Sequence, residues 1–303
     1  SGLQSILTQD DEIIISAMEH HSNIVPWQML CEKTGATMKV IPIKNDGTLD
    51  IDEYKSMLNP KVKFVFVNHV SNTLGTINPI ELIIELAHKN NSQVLIDGAQ
   101  GAAHLKINLN ELNVDYYVAS AHKLCGPTGV GFLYGKSELL NSLPAYQGGG
   151  EMISNVTFEK TEYADLPHKF EAGTPNIAGV IAFGVALDYM NSIGFDNIEN
   201  HEKELLDYAT ENLKKIDGIK IYGDNNQKIS VISFNIGDHH PSDIGSILDQ
   251  FGIAVRTGQH CTQPIMDFYK IPGTVRASFS FYNTKSEIDL FIDALIKASK
   301  MLG

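Results

Sequence analysis

KFVFVN at residues 63–68, QVLID at 93–97 and VDYYVAS at 114–120 are three short apolar runs that read as strands. Between the first two, residues from about Ile80 to Lys89 carry a helical pattern. The alternation extends outward in both directions. Upstream lie strand patterns at Ile13–Ser16 and Met38–Ile43, with helical patterns at about Asn23–Glu32 and Asp52–Leu58; downstream, Val130–Tyr134 reads as a sixth strand. Strands interleaved with helices need crossover connections, so the expected class is α/β with a mainly parallel sheet flanked by helices. Residues Pro144–Phe170, with Gly148, Gly149 and Gly150, show weak periodicity and read as a long loop. Two helical stretches follow, Ile177–Met190 and Phe195–Lys215. The last third mixes strands (219–222, 229–236, 275–280) with helices (242–251, 286–301), which suggests a smaller α+β C-terminal domain. The expected division is 1–190 for the large domain and 191–303 for the small one.

Composition narrows the function. The chain has 303 residues, 43% hydrophobic and 19% charged, as in an ordinary globular protein. A net charge of −13 argues against broad attraction to nucleic acid or an anionic membrane. No apolar run reaches the roughly 18 residues of a membrane-spanning helix, and Ser1–Ser5 lacks the charged and apolar parts of a signal peptide. Cys31, Cys125 and Cys261 are odd in number and far apart. That argues against a disulfide framework and fits a reducing compartment, the cytoplasm or an organelle stroma. No pair has zinc-ligand spacing, so no metal is expected.

Open α/β sheets bind ligands at the carboxyl ends of their strands. Here those ends are polar. The third strand runs into Asn68-His69-Val70-Ser71-Asn72, the fourth into Asp97-Gly98-Ala99-Gln100, the fifth into Ser120-Ala121-His122-Lys123. Taken singly, Asp97 reads as a strand-end turn former and Lys123 as a solvated lysine. Together they match a need of pyridoxal phosphate, which takes a lysine amine and a carboxylate against its pyridinium nitrogen.

The longer motifs sharpen this reading. Asp97–Gln100 followed by Ser120–Pro127 resembles the cofactor signature of class V aminotransferases. Met18–Trp27 (MEHHSNIVPW), His69–Asn72, Phe170–Pro175 (FEAGTP) and Arg256–Cys261 (RTGQHC) resemble the cysteine desulfurases, most closely the SufS-type, group II enzymes. The resemblance implies the fold of type I pyridoxal-phosphate-dependent transferases and the conversion of L-cysteine to L-alanine. It also implies roles. Lys123 resembles the Schiff-base lysine, Asp97 the pyridinium partner, and His20 the imidazole stacked on the ring, with acid–base work open to it. Gln100 is similar to the donor to the ring's phenolic oxygen. Ser120 and His122 resemble phosphate ligands, and Thr174 one that reaches in from a second subunit. Asn72, Arg276 and Arg256 are similar to the contacts of the substrate carboxylate.

Cys261 matches the family's nucleophile, which would take the substrate sulfur as a persulfide. A lone cysteine is more often a buried small hydrophobe. The polar flanks Gln259, His260, Thr262 and Gln263 argue against burial, and His260 and Arg256 could favour a thiolate. Cys31 reads as core, and Cys125 receives no role. The resemblance begins near Asp11, where the family has about a hundred further residues upstream, within the size of one domain. It implies a homodimer, a sulfur acceptor of SufE or SufU type, and supply of sulfur to iron–sulfur cluster assembly. Selenocysteine lyase, cysteine sulfinate desulfinase and a catalytically silent interaction module remain alternatives.

Overall fold

The computed structural model describes residues 2–303. Its elements follow the chain as β1 (Glu12–Ser16), α1 (Val25–Thr34), β2 (Thr37–Ile41), α2 (Ile51–Met57), β3 (Val62–Asn68), α3 (Ile80–Lys89), β4 (Gln93–Asp97), α4 (Gly101–His104), α5 (Leu109–Leu112), β5 (Tyr116–Ser120), β6 (Gly131–Gly135) and α6 (Ser137–Ser142). These six strands form one sheet in the order β2-β1-β3-β4-β5-β6. The first five run parallel and β6 is antiparallel to β5. The family's fold expectation therefore holds: a mostly parallel sheet flanked by helices.

The apolar runs are explained by two-sided burial. Ile13 and Ile15 face the cluster that also holds Phe64 and Phe66, while Ile14 joins Val65 and Val67 on the other face. A parallel sheet covered on both sides leaves no polar face, so its strands read as continuous hydrophobic runs. Each such side chain removed from water contributes roughly 1.5–3 kcal/mol. Helix α1 begins with Pro26 in its first turn and ends at Gly35, whose φ of 78° closes the helix with its N–H on the Cys31 carbonyl.

The chain continues as β7 (Ile153–Val156), β8 (Thr161–Tyr163), α7 (Ile177–Ile193), α8 (Phe195–Leu213), β9 (Ile219–Tyr222), β10 (Val231–Ile236), α9 (Pro241–Gln250), β11 (Arg256–Gly258), α10 (Gln263–Tyr269), β12 (Thr274–Ser278) and α11 (Lys285–Leu302). Strands β11-β12-β10-β9 make a second, antiparallel sheet with its own core against α8, α9 and α11. The stretch 144–170, expected as loop, contains the hairpin β7–β8. Both of its strands are largely exposed, so no buried face imposes the alternation that marks a strand. Among the described residues no single helix is long and apolar enough to cross a membrane.

Strand order places the site. β1 lies between β2 and β3, so the chain's progression across the sheet reverses there. The crevice outside the carboxyl ends of β1 and β3 is the expected ligand position in such a sheet.

Candidate active site

A cavity of about 680 Å³ opens at that crevice. The segment after β1 contributes His20 and the loop after β3 contributes Asn72. The end of β4 supplies Asp97 and Gln100, and the end of β5 supplies Ser120, His122 and Lys123. From the second sheet, Arg256 of β11 and Arg276 of β12 complete the wall. Thr174 and Cys261 are not in the wall. Thr174 is exposed on the turn before α7, and Cys261 lies just behind Arg256.

Asp97 and Lys123 are fixed by the sheet. Asn68 pairs with Asp97, and Asp97 with Val118, in adjacent parallel registers. The Asp97 Oδ1 accepts the Ala99 N–H at 2.9 Å. Gly98 is required by close approach rather than by a turn. A Cβ there would sit 1.9 Å from the Tyr117 ring, so only glycine lets the β4 end lie on that ring. Behind it the Tyr117 hydroxyl and His69 Nδ1 are 3.1 Å apart. Burial pushes the His69 imidazole down to about 4, so His69 is neutral there. Lys123 ends a single helical turn after β5. Burial lowers its pKa; Asp97 opposes this, and Arg276 and Arg256 reinforce it. The amine is thus shifted toward the neutral form that a base or nucleophile needs.

His20 has a defined tautomer. Its Nδ1 accepts the Ser22 N–H at 3.1 Å, so the proton of the neutral ring sits on Nε2. Burial first, then the Lys123 charge, lowers its pKa and keeps the ring neutral.

The two arginines form an unusual pair. Arg256 and Arg276 are directly opposite each other in the β11–β12 register, so their side chains leave the same face of the sheet. Like charges so placed repel, and neither forms a salt bridge among the described residues. Burial and the Arg256 charge bring the Arg276 pKa down to about 10. The Arg276 Nη1 donates to the Asn72 carbonyl at 2.7 Å, while its Nε is buried without a partner. A buried unpaired guanidinium N–H beside a second arginine is the signature of a site for an anion, and a carboxylate fits the planar fork. Asn72 gives one amide proton to the His260 carbonyl at 2.8 Å, and its Oδ1 is buried and unpaired.

Cys261 is only partly buried, as its polar flanks suggested, and Gln259 and Gln263 are exposed, but His260 and Thr262 are 2% and 0% exposed. They are buried because each is hydrogen-bonded: His260 Nε2 lies 2.9 Å from Thr274 Oγ1, and Thr262 Oγ1 lies 2.7 Å from Thr73 Oγ1. Against the sequence expectation, His260 supplies no positive charge to the thiol. Burial, then Arg276 and Arg256, push its pKa down to about 4, so the ring is neutral near pH 7. The arginines serve that purpose: Arg256 Nη2 is 3.6 Å from the Cys261 Sγ, and Arg276 is near enough for its charge to interact with that of Cys261. Cys31 is only partly buried, against the core under α1, and Cys125 is exposed.

Sequence reasoning passed over Glu19, a fully buried carboxyl beneath the cavity floor. It accepts the Asn68 N–H at 3.0 Å, the Asn23 amide at 2.7 Å and the Ser16 hydroxyl. Asn23 in turn accepts the Trp27 Nε1–H at 2.9 Å, and the Trp27 ring stacks on Phe66 at 3.6 Å. Burial outweighs these donors and pushes Glu19 up to about 8. The available signal was its place: a charged residue just past the strand pattern Ile13–Ser16, between Ser16 and Asn23.

The wall suits the cofactor that the sequence motifs imply. An amine, a carboxylate, a neutral imidazole, a side-chain amide and hydroxyl and imidazole donors surround one cavity, and Asp97 lies near enough to act on the Lys123 charge. Comparison with known proteins agrees. The aminotransferase class-V family model matches residues 1–291. A cysteine desulfurase of Cronobacter sakazakii is 48% identical over 300 residues, covering 99% of this chain and 74% of the relative. The crystal structure of the cysteine desulfurase CsdA from Escherichia coli superposes with a TM-score of 0.95 at 37% identity, covering 99% of this chain and 75% of that one. A cysteine desulfurase from Thermococcus onnurineus gives a TM-score of 0.96 at 36% identity, with the same coverage of 99% and 75%. The chain belongs to the class-V aminotransferases and, within them, to the cysteine desulfurases, enzymes whose cofactor is pyridoxal 5′-phosphate.

Proposed function

We propose that this desulfurase takes sulfur from L-cysteine onto Cys261 and releases L-alanine. The supporting observation is the arginine pair. Arg276 and Arg256 offer an anion site in the wall that also holds Lys123, and Arg256 reaches from that wall to the Cys261 Sγ. A substrate held by its carboxylate there would have Lys123 in the same wall and the thiol behind Arg256.

Bound pyridoxal phosphate supplies the electron sink for bonds at the substrate's α-carbon. Lys123 and Asp97 would hold its reactive carbon and ring nitrogen, with His20 along the ring and Ser120, His122 and Gln100 at its oxygens. The side chains do the rest. The Arg276 Nε–H and the second Asn72 amide proton orient the carboxylate. Lys123, made less basic by burial, carries the proton to and from carbon. The Cys261 thiolate, paired with Arg256, attacks the substrate sulfur. The S–S bond forms as the substrate C–S bond breaks, the carbon takes up a proton, and one persulfide and one alanine result. No external oxidant or reductant is needed.

The finer parts of this proposal are the fate of the sulfur and the assembly. We assign the persulfide sulfur to an acceptor protein for iron–sulfur assembly in a reducing compartment, a transfer that persulfide chemistry permits. A two-fold dimer is supported by the exposed apolar side chains of Ile177, Val180, Ile181, Val185 and Tyr189 along α7, next to Thr174. Light scattering should give twice the mass of one chain; a monomer at micromolar concentration would remove the dimer. The chemistry is tested by incubating cofactor-loaded protein with L-cysteine and locating the sulfur adduct by alkylation and peptide mass. The adduct should lie on Cys261, and Cys261→Ala should retain visible absorbance but release no alanine. Cys125→Ala and Cys31→Ala should transfer sulfur normally. Full alanine release by Cys261→Ala, or an adduct on Cys125 alone, would overturn the reading.

A further inference from the structure

We propose that His21 is a positioning residue for Cys261, dividing labour with its neighbour: His20 faces the cavity and His21 holds the loop that carries the thiol. This inference rests on Cys261 being the sulfur acceptor.

The loop needs holding. His260 and Cys261 have φ of 54° and 60°, two consecutive non-glycine residues in the left-handed region. L-residues seldom adopt that region, and two in succession persist only where the surroundings over-determine them. The surroundings here come from the other sheet. The His21 N–H donates to the Cys261 carbonyl at 2.8 Å. The His21 ring accepts, through Nε2, the N–H of Gln263 at 3.1 Å. Gln263 is the first residue of α10, whose own N-cap, Thr262, makes no side-chain capping bond. His21 thus caps this helix across a separation of 242 residues. It brackets the thiol-bearing residue, gripping Cys261 by its carbonyl and Gln263 by its N–H. Asn72 on the His260 carbonyl and Thr73 on Thr262 complete the hold from the same side.

The chemistry of the ring follows from its contact. An acceptor at Nε2 requires the proton on Nδ1, the opposite tautomer to that of His20. Adjacent histidines with opposite tautomers are suited to different work. His20 presents an N–H donor at Nε2 to the cavity, whereas the His21 Nε2 lone pair is taken by the Gln263 N–H and His21 does not line the cavity.

Removing the ring leaves the backbone bond to Cys261 in place and deprives Gln263 of its acceptor. The loop should loosen without release of the cofactor. A glutamine carries its side-chain carbonyl about as far as the imidazole Nε2 and can replace the acceptor. The test uses the full chain loaded with pyridoxal phosphate, as wild type, His21→Ala and His21→Gln. In His21→Ala, amide exchange in peptides covering 259–266 should accelerate roughly three- to tenfold, the value of one hydrogen bond. Exchange in peptides covering 93–100 and 116–123 and the cofactor titration should not change. The kcat for alanine release should fall by a similar factor at unchanged KM, and His21→Gln should recover most of both effects. Unaltered exchange at 259–266 in His21→Ala would refute the clamp, as would exchange rising throughout the chain or a failure of glutamine to restore what alanine loses. Full activity in Cys261→Ala is a different result, which removes the nucleophile reading and the catalytic meaning of the clamp with it.

Discussion

The two walls of the cavity are built by different means. Asp97, Ser120 and Lys123 stand at or just beyond the ends of parallel strands whose registers are fixed by their neighbours. The other wall carries Arg256 and Arg276, and just behind it Cys261 stands in a loop with left-handed backbone, secured by bonds between residues 188, 189 and 242 positions apart. In the proposed reaction, the groups that would keep a ring in one place are anchored by rigid, local structure. The group that would pick up an atom and pass it on sits on a segment whose geometry is maintained by a few removable contacts. That division matches the general preference for rigid elements under a binding constellation and loops for groups that meet a partner.

The rigid wall should be the less forgiving one. Lys123→Ala is expected to lose alanine release altogether, along with the visible absorbance that borohydride removes. Its thermal melting should stay close to wild type, since a lysine just past a strand end contributes little to the core. A variant that kept the reducible absorbance would break the assignment of this wall. Where the walls meet, Arg276→Lys keeps the charge and removes the planar fork, including the buried Nε–H. A lost hydrogen bond to a charged group corresponds to about 1.5–3 kcal/mol, roughly ten- to hundredfold in KM for L-cysteine. An unchanged KM would show that the carboxylate binds elsewhere.

The smallest effect concerns the floor beneath both walls. Glu19 has a folded pKa raised from 4.5 to about 8, so between those values the folded state holds a proton that the unfolded state has lost. Its contribution to stability is therefore complete below about pH 4.5 and declines as pH rises through about 8. Glutamine cannot titrate, and its NH₂ must confront either the Asn68 N–H or the Asn23 amide. Glu19→Gln should cost about 1–3 kcal/mol at pH 5.5, from one unsatisfied buried donor, and progressively less toward pH 8. Melting temperatures at the two pH values measure this, and parallel curves for variant and wild type would exclude Glu19 as the titrating group.

The two walls also differed in how far they could be read in advance. The sheet and its strand-end residues were legible because two-sided burial writes a continuous apolar run, with polar residues beginning where the strand leaves the core. The motif order then attached chemistry to Asp97 and Lys123. On the other wall, β11 is only three residues long, too short for any period, and α10 begins directly after the loop. The burial of His260 and Thr262 follows from partners at Thr274 and Thr73, which no local pattern reveals. The same holds for Glu19 and His21, whose environments are assembled by residues 49 and 242 positions distant.

Trp27 is the only tryptophan in the chain, and it belongs to the cavity wall. It is stacked on Phe66 and tied through Asn23 to Glu19. Emission excited at the red edge of the indole band therefore comes from one known point, with no background from elsewhere in the fold. The chain carries an intrinsic optical probe beside the cavity, wired by two hydrogen bonds to the proton beneath its floor.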